Sequence, residues 1–216
     1  VIIGGPPCQG FSQKGQRKTI HDERNFLFKY YVKVVDLVRP RYFVMENVPN
    51  LLTAENGYFQ KEIIDLFNSM GYSLNTGILN AADFGVPQNR RRAVIIGKRD
   101  GEAPALPVKA EQRVTIWDAI GDLAYLKSGE GQEEQQYADL PVSDYAKSLR
   151  GNMYVLHNHV ATKHSKLALE RLALIPPNCG KEVLPDEHLT KSIYSGTWSR
   201  MIKDDISVTI TTRFDT

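Results

Sequence analysis

The sequence predicts an α/β protein that begins with an open, mostly parallel sheet with flanking helices. Short apolar runs closed by Gly or Pro alternate with amphipathic segments of helical spacing along residues 1–98, which is typical of sheets with right-handed crossovers. Beyond residue 98 this alternation stops. We therefore expect an α/β region at 1–98, followed by a linker and an irregular, mixed region at 99–216.

Hydrophobic periodicity predicts the elements of the α/β region. They are a buried strand at 1–3, helices at 26–38 and 58–70, and strands at 42–45, 72–79 and 93–97. In the first helix apolar side chains recur at steps of three and four, and Pro40 ends it because proline cannot continue a helix. Gly71 is expected to stop the second helix.

The second region has weaker signals. Prolines at 104 and 107 indicate a linker, and the polar stretch 127–139 indicates a solvated loop. A short helix is expected within 117–126, a longer one at 165–175, and a strand at 206–212. Trp117 and Trp198 are expected to anchor the core, since large aromatic side chains bury much apolar area.

Composition excludes several classes of protein. Hydrophobic residues make up 42% and charged residues 24%, which excludes disorder for most of the chain. No apolar run approaches the roughly 20 residues of a membrane helix. Two cysteines, Cys8 and Cys179, cannot form a disulfide framework, which indicates a reducing, intracellular environment.

Charge is unevenly distributed along the chain. Residues 1–99 hold 14 Lys/Arg against 8 Asp/Glu, net +6, whereas residues 100–216 hold 13 against 17, net −4. The basic first half suggests a polyanion as its partner.

Three polar segments are expected to converge at one edge of the sheet. Cys8 lies five residues past the first strand, and Glu46 directly follows the apolar run of the second. Sites in open α/β sheets form beyond the carboxyl ends of the strands. The segment 88–92 leads into the strand at 93–97; if that strand runs antiparallel, its start faces the same edge.

Each of these residues also has a simpler interpretation. Cys8 could be a buried structural cysteine, although its position among Pro, Gly and Gln argues against burial. Nearby basic residues would instead favour the reactive thiolate. Glu46 could cap the next turn. The three arginines at 90–92 could form a solvated face rather than contact phosphate.

Taken together, the motifs resemble those of the DNA cytosine-5 methyltransferases. The matching segments follow in order along the chain: Gly4 to Ser12 (GGPPCQGFS), Asp22 to Phe28 (DERNFLF), Glu46 to Val48 (ENV), Asn80 to Pro87 (NAADFGVP), Gln88 to Arg92 (QNRRR) and Thr209 to Thr212 (TITT). Each short motif is weak alone, but the full set in this order and spacing is specific.

The resemblance implies a Rossmann-like S-adenosylmethionine-dependent fold and assigns the catalytic roles. The Cys8 thiolate would add to C6 of a flipped-out cytosine, and Glu46 would share a proton with N3. Arg92 would contact the cytosine carbonyl, and Arg90 a phosphate or the Cys8 loop. The product would be cytosine methylated at C5.

The resemblance also assigns binding residues. Pro7 and Leu27 match positions that line the S-adenosylmethionine pocket. Gln9, Ser12, Gln88 and Arg91 would contact double-stranded DNA or support the loop that does. The loop at 9–24 would close over the extruded base.

The same resemblance implies a biological setting. Residues 1–98 would be the catalytic half, and 99–216 the linker and target-recognition region. The family's glycine-rich cofactor motif is expected before Val1, and further segments after Thr216. We therefore expect an internal fragment that binds the cofactor poorly and is inactive alone. Bacterial members imply a monomer in the cytoplasm at the nucleoid, without membrane contact, paired functionally with a restriction endonuclease.

Two other functions are kept as alternatives. The chain could be a non-catalytic DNA-binding or target-recognition module, or a hydrolase that uses Cys8 with His157 as its base. The histidines at 157, 159 and 164 with Cys179 match no common zinc spacing. We expect them to be polar loop residues rather than metal ligands.

Overall fold

The computed structural model describes residues 1–7, 26–190 and 198–210 and divides the chain into two compact units. The first unit comprises 1–84 and 91–109, and the second comprises 85–90 and 110–216. Cys8, Gln9 and Ser12 lie outside the described residues. In the described ranges no helix is both long and apolar enough to cross a membrane.

The first unit contains a four-stranded mixed sheet. Its strands are β1 (Ile2–Gly4), β2 (Tyr42–Asn47), β3 (Tyr72–Asn80) and β4 (Arg91–Arg99), in the order β1-β2-β4-β3. β1 pairs parallel with β2, whereas β4 pairs antiparallel with both β2 and β3. Among the described strands β1, β2 and β3 therefore run in the expected common direction, and β4 runs against them. The short connection at 81–90 accounts for the reversal of β4, because parallel strands need a longer crossover.

Three helices accompany this sheet, namely α1 (Phe28–Val38), α2 (Asn50–Thr53) and α3 (Tyr58–Ser69). They confirm the two predicted helices. Arg39 adopts a left-handed conformation after α1 and its N–H donates to the carbonyl of Val35. Gly71, with φ +81°, follows α3 as predicted. Short 3-10 helices occupy Ala54–Gly57 and Ala81–Phe84.

The hydrophobic core lies on one face of this sheet. Along β2, Phe43, Met45 and Asn47 are buried and alternate with partly exposed residues, as expected for a strand with one face on the core. Phe43 stacks on Phe67 of α3 with ring centroids 4.2 Å apart, and meets Tyr72 edge-on at 5.4 Å. Helix and sheet are thus held together by aromatic contacts.

The two outer strands differ from expectation. The first predicted strand forms, but it is not buried, because Ile3 is 76% exposed and Val1 also faces solvent. At the other edge, the segment after β4 covers β3. Asn75 donates from Nδ2 to the carbonyls of Ala103 and Pro104 at 3.2 and 2.9 Å.

The second unit consists of short elements. Its helices are α4 (Ile116–Ile120), α5 (Asp144–Arg150) and α6 (Lys166–Leu174), and its strands are β5 (Gly131–Gln136) and β6 (Val155–Val160). The strands pair antiparallel as a two-stranded ribbon. Further 3-10 helices occupy Gly121–Leu123, Lys181–Val183 and Asp186–His188. The predicted helix at 165–175 is confirmed.

Three expectations for the second unit are wrong. The polar stretch 127–139 is not a loop throughout, because β5 lies within it. Residues 206–210 form only an isolated bridge, between Gln88 and Ser207. Trp117 is 40% exposed and Trp198 is partly exposed, so neither is a buried anchor.

Candidate active site

Two of the segments expected at the site, the end of β2 with Glu46 and the start of β4 with Arg92, lie at one edge of the first unit's sheet. Because β1 and β2 are parallel, their carboxyl ends lie together, with Gly4 opposite Met45. Because β4 is antiparallel to β2, its first residues lie at this same edge, with Asn47 opposite Ala93. This confirms the conditional prediction that an antiparallel strand at 93–97 would start beside Glu46.

Glu46 and Arg92 form an ion pair at this edge. Glu46 is opposite Val94, so Arg92, two residues earlier on β4, is its diagonal neighbour on the same face. Arg92 Nε lies 2.7 Å from Glu46 Oε1, a charge-assisted hydrogen bond. The side chain of Glu46 remains 44% exposed and that of Arg92 24% exposed. The two side chains therefore fix each other's position, and both remain accessible to a ligand.

Asn47 links the end of β2 to the segment that follows β1. It is only 5% exposed, on the core face of β2. Its Nδ2 donates to the carbonyl of Pro6 at 2.8 Å, and its Oδ1 accepts from the N–H of Val48 at 2.8 Å. Both ends of the amide are therefore satisfied, as a buried polar group requires.

Gly5 allows the backbone after β1 to approach Glu46 closely. A Cβ on Gly5 would lie 3.1 Å from Glu46 Oε2 and 3.5 Å from the carbonyl oxygen of Glu46. A side chain there would crowd the carboxylate. The absence of one lets the Gly5-Pro6-Pro7 segment pass beside the acid, and Cys8 follows Pro7 in the sequence.

Three other predicted site residues of the first unit are described by the structure, namely Pro7, Leu27 and Arg91. Pro7 is exposed, and Leu27 is partly buried just before α1. Arg91 is exposed at the start of β4, and its carbonyl accepts a hydrogen bond from Arg92 Nη1 at 2.8 Å. The approach of Cys8 to Glu46 remains a prediction, as do the contacts of Gln9 and Ser12.

Gln88 and Arg90 belong to the second unit. The segment that carries them pairs with residues near the end of the described chain. Asn89 N–H donates to the carbonyl of Ser207 at 2.8 Å, and Ser207 N–H donates to that of Pro87 at 2.9 Å. Thr209 Oγ1 donates to the carbonyl of Asn89 at 2.7 Å. This segment is therefore fixed mainly by its backbone.

The two predicted cofactor residues fit part of S-adenosylmethionine. Pro7 and Leu27 offer apolar surface, which suits the adenine ring and the alkyl groups on sulfur. They offer no partner for the ribose hydroxyls or the amino-acid end of the cofactor.

His157 and His159 lie on β6 rather than in the expected loop, and they contact acidic and amide side chains. His157 Nδ1 lies 3.9 Å from Glu134 Oε2, and His159 Nδ1 lies 2.9 Å from Gln135 Nε2. Within residues 1–7, 26–190 and 198–210, no three His, Cys, Asp or Glu side chains are grouped so as to hold a metal ion.

Asn47 is the residue at the site whose contribution was not predicted. The sequence motif of residues 46–48 includes Asn47, but the resemblance assigns a role only to Glu46. A signal was present, because alternation along β2 puts a polar residue on the same face as Phe43 and Met45. A polar side chain on a buried face needs a partner, and here that partner is Pro6.

Comparison with known proteins gives consistent matches over most of the chain. Residues 1–207 match the family described as C-5 cytosine-specific DNA methylase. The Type II methyltransferase M1.HphI of Haemophilus parahaemolyticus is 39% identical over 189 residues, covering 86% of this chain and 45% of that protein. The Type II methyltransferase M.DdeI of Desulfomicrobium norvegicum is 36% identical over 197 residues, covering 87% and 47%. The chain thus spans about half the length of these relatives.

A solved structure shows the same fold. A protein assigned as a DNA modification methyltransferase, encoded within a prophage of E. coli, matches with a TM-score of 0.64 at 22% identity. The match covers 96% of this chain and 61% of that one. At this identity the likeness concerns the α/β fold.

Proposed function

Because the chain belongs to the C-5 cytosine-specific DNA methylase family, we propose that it methylates carbon 5 of cytosine in double-stranded DNA. The observation that carries the proposal is the Glu46–Arg92 pair beside the Gly5-Pro6-Pro7 segment, which leads into Cys8. An acid, a cation and the approach to a thiol at one edge match what the reaction requires.

Carbon 5 of cytosine is too weak a nucleophile to take a methyl group unaided. In the proposed mechanism the Cys8 thiolate forms a bond to C6, and the displaced electrons make C5 nucleophilic. Glu46 shares a proton with N3, which stabilises the charge that develops on the ring. Once C5 carries the methyl group, loss of its proton to water lets the Cys8–C6 bond break and returns the thiolate. S-adenosylmethionine, in contact with Pro7 and Leu27, would supply the methyl group.

Arg92 and Asn47 would prepare the site for the base. Arg92 Nε lies 2.7 Å from Glu46 Oε1, and the remaining donors of Arg92 would bind the cytosine carbonyl. Asn47 holds Pro6, so the backbone before Cys8 has a fixed starting point relative to Glu46. Such preorganisation reduces the cost of orienting the reacting groups.

DNA binding would involve both units. Cytosine C5 is inaccessible within a stacked duplex, so the base must be flipped out, and the loop at 9–24 with Gln9 and Ser12 would close over it. Gln88 would support that loop, and Arg90 and Arg91 would contact phosphate. Residues 99–216 would form the linker and the target-recognition region.

The relatives' names support part of the proposed biological setting. Several are Type II methyltransferases, which supports a role in bacterial restriction–modification, in the cytoplasm at the nucleoid and beside a cognate endonuclease. We propose that the protein is monomeric. Because the chain spans about half of these relatives, we expect residues 1–216 alone to bind S-adenosylmethionine poorly and not to turn over.

The test is methyl transfer from labelled S-adenosylmethionine to duplex DNA by a full-length protein carrying this sequence, with the methylated atom identified by nucleoside mass spectrometry. We expect 5-methylcytosine. Cys8→Ser should abolish its formation, whereas Cys179→Ser, in the second unit, should retain it. DNA binding without methylation by the wild type would instead support a non-catalytic recognition module.

A further inference from the structure

The hydroxyl group of Tyr31 lies between the backbones of β1 and β2. It donates a hydrogen bond to the carbonyl of Val44 at 3.0 Å and lies 3.3 Å from the carbonyl of Ile2. These carbonyls belong to neighbouring parallel strands, in which Ile2 is opposite Phe43. The Tyr31 hydroxyl is protonated at neutral pH, as tyrosine ordinarily is, and burial raises its pKa further. One hydroxyl therefore bridges the two strands that lead to the site.

The ring of Tyr31 occupies the space beside the last residue of β1. A Cβ on Gly4 would lie only 2.6 Å from Cε2 of Tyr31, closer than side-chain atoms approach. The same ring meets Phe43 edge-on, with centroids 6.1 Å apart. Gly4 is therefore packed directly under an aromatic ring that the core holds in place.

The residues after Gly4 are the ones that approach the acid. Gly5 passes beside the Glu46 carboxylate, and the carbonyl of Pro6 accepts from Asn47. The end of β1 is thus held by Tyr31 from the helix side and by Asn47 from the end of β2. Cys8 is two residues beyond Pro6.

We propose that Tyr31 is a positioning residue for cytosine methylation, which sets the start of the Cys8 loop relative to Glu46 through its hydroxyl bridge and its contact with Gly4. The inference rests on the proposed function and goes beyond it, because Tyr31 touches neither the base nor the reacting atoms. Substitution of Tyr31 is therefore expected to lower the rate of the chemical step and to leave the affinity for DNA unchanged.

Tyr31→Phe tests this directly, because it removes the hydroxyl and keeps the ring on Gly4. In a full-length protein we expect the single-turnover rate of methyl transfer to fall at least about tenfold, since small misplacements of reacting groups are costly. The Kd for DNA should stay within about twofold of wild type, because no phosphate or base contact is lost.

Tyr72→Phe is the matched control. Tyr72 is also a tyrosine of this core, and its hydroxyl donates to the carbonyl of Pro40 at 2.6 Å. In the sheet Tyr72 lies opposite Arg99. Arg99 is at the end of β4 that is distant from Arg92, so Tyr72 is far from the candidate site. Tyr72→Phe should lower the melting temperature about as much as Tyr31→Phe, because each variant removes one hydrogen bond from a tyrosine hydroxyl to a backbone carbonyl. The rate of methyl transfer should nevertheless stay within about twofold of wild type, as expected for a distant site.

The possible results distinguish a failure of the inference from a failure of the proposed function. A lower rate of methyl transfer in Tyr31→Phe, with an unchanged rate in Tyr72→Phe, supports the inference. Equal rates in both variants, whether unchanged or equally slowed, would overturn it and assign Tyr31 to general stability. A wild-type protein that binds DNA but makes no 5-methylcytosine would overturn the proposed function and this inference together.

Discussion

The two units of the molecule are stabilised by different kinds of interaction. Of the large side chains that are fully buried among the described residues, only Ile175 belongs to the second unit. The first unit has a continuous core in which Phe43 contacts the rings of Phe67 and Tyr72. Burial of apolar surface therefore stabilises the first unit, as in most domains.

In the second unit, polar contacts take a larger share. Arg150 pairs with the buried Asp122, donates from Nη1 to the carbonyl of Asp139 at 2.9 Å and lies 3.8 Å from the ring centroid of Tyr137. Thr115 and Asp118 form a capping box at the start of α4. The unit with the continuous apolar core thus carries Glu46 and Arg92, whereas the second unit depends more on individual hydrogen bonds and ion pairs.

The largest expected effect concerns chemistry in the first unit. Glu46→Gln should lower the rate of methyl transfer by about 10²–10⁴-fold, because an amide cannot exchange the proton with N3. Glu62→Gln is the control, since Glu62 also pairs with a cation, Lys29, at 2.7 Å. Rate measurements on full-length variants check this. An equal loss in both variants would mean that charge in this unit, rather than proton exchange, limits the reaction.

The next largest effect concerns the contribution of the apolar core to the free energy of unfolding. Phe43→Ala should destabilise the fold by about 3–5 kcal/mol, because it leaves a cavity between strand and helix. Leu174→Ala, at an exposed leucine of α6, should cost less than about 1 kcal/mol. Chemical denaturation of each variant gives both values. Similar losses would contradict the contrast between the two units.

The third effect addresses the buried ion pair of the second unit. Asp122→Asn removes one charge opposite Arg150 and should destabilise the fold by about 3 kcal/mol, because the remaining cation is left buried without its partner. Lys166→Ala, which removes an exposed pair with Glu170 at 3.9 Å, should cost less than about 0.5 kcal/mol. If Asp122→Asn lowers the free energy of unfolding no more than Lys166→Ala does, the second unit does not depend on the Arg150–Asp122 pair for stability.

The smallest effect is a dependence on pH. Hydrogen bonds from the side chain and backbone of Thr115 lower the pKa of Asp118 from its usual value. A carboxyl group with a lowered pKa stabilises the fold above its unfolded value, and this contribution is lost as the pH falls through the folded value. The melting temperature of Asp118→Asn should therefore fall less than that of wild type below about pH 4. Parallel pH curves would exclude a contribution from this cap.

The first unit could largely be predicted because its pattern reflects burial. The apolar spacing in α1 and α3 located both helices, and the position after an apolar run located Glu46. The direction of β4 was predicted only as one of two alternatives, because strand directions depend on connections rather than on side chains. The signal for the antiparallel direction is the lack of a crossover helix at 81–90.

The second unit could be predicted only in part. The strand β5 reads GQEEQQ and has no apolar alternation, so it forms by pairing with β6 rather than by burying one face. The partner of Asn47 could not be predicted either, because alternation along β2 indicates a buried polar side chain but not which distant backbone group it contacts. The sequence predicted Arg92 and Glu46 at the same end of the sheet, whereas their direct ion pair was not predicted.

The most direct test of the account is a covalent trap. A duplex with 5-fluorocytosine at the target position blocks the final proton loss, so that the thiol remains bound to C6 after methyl transfer. With a full-length protein and S-adenosylmethionine, we predict an adduct that mass spectrometry of the peptides assigns to Cys8, formed much more slowly by Glu46→Gln. An adduct at Cys179, or no adduct despite retained DNA binding, would contradict the claim that Cys8 and Glu46 act on one extruded cytosine.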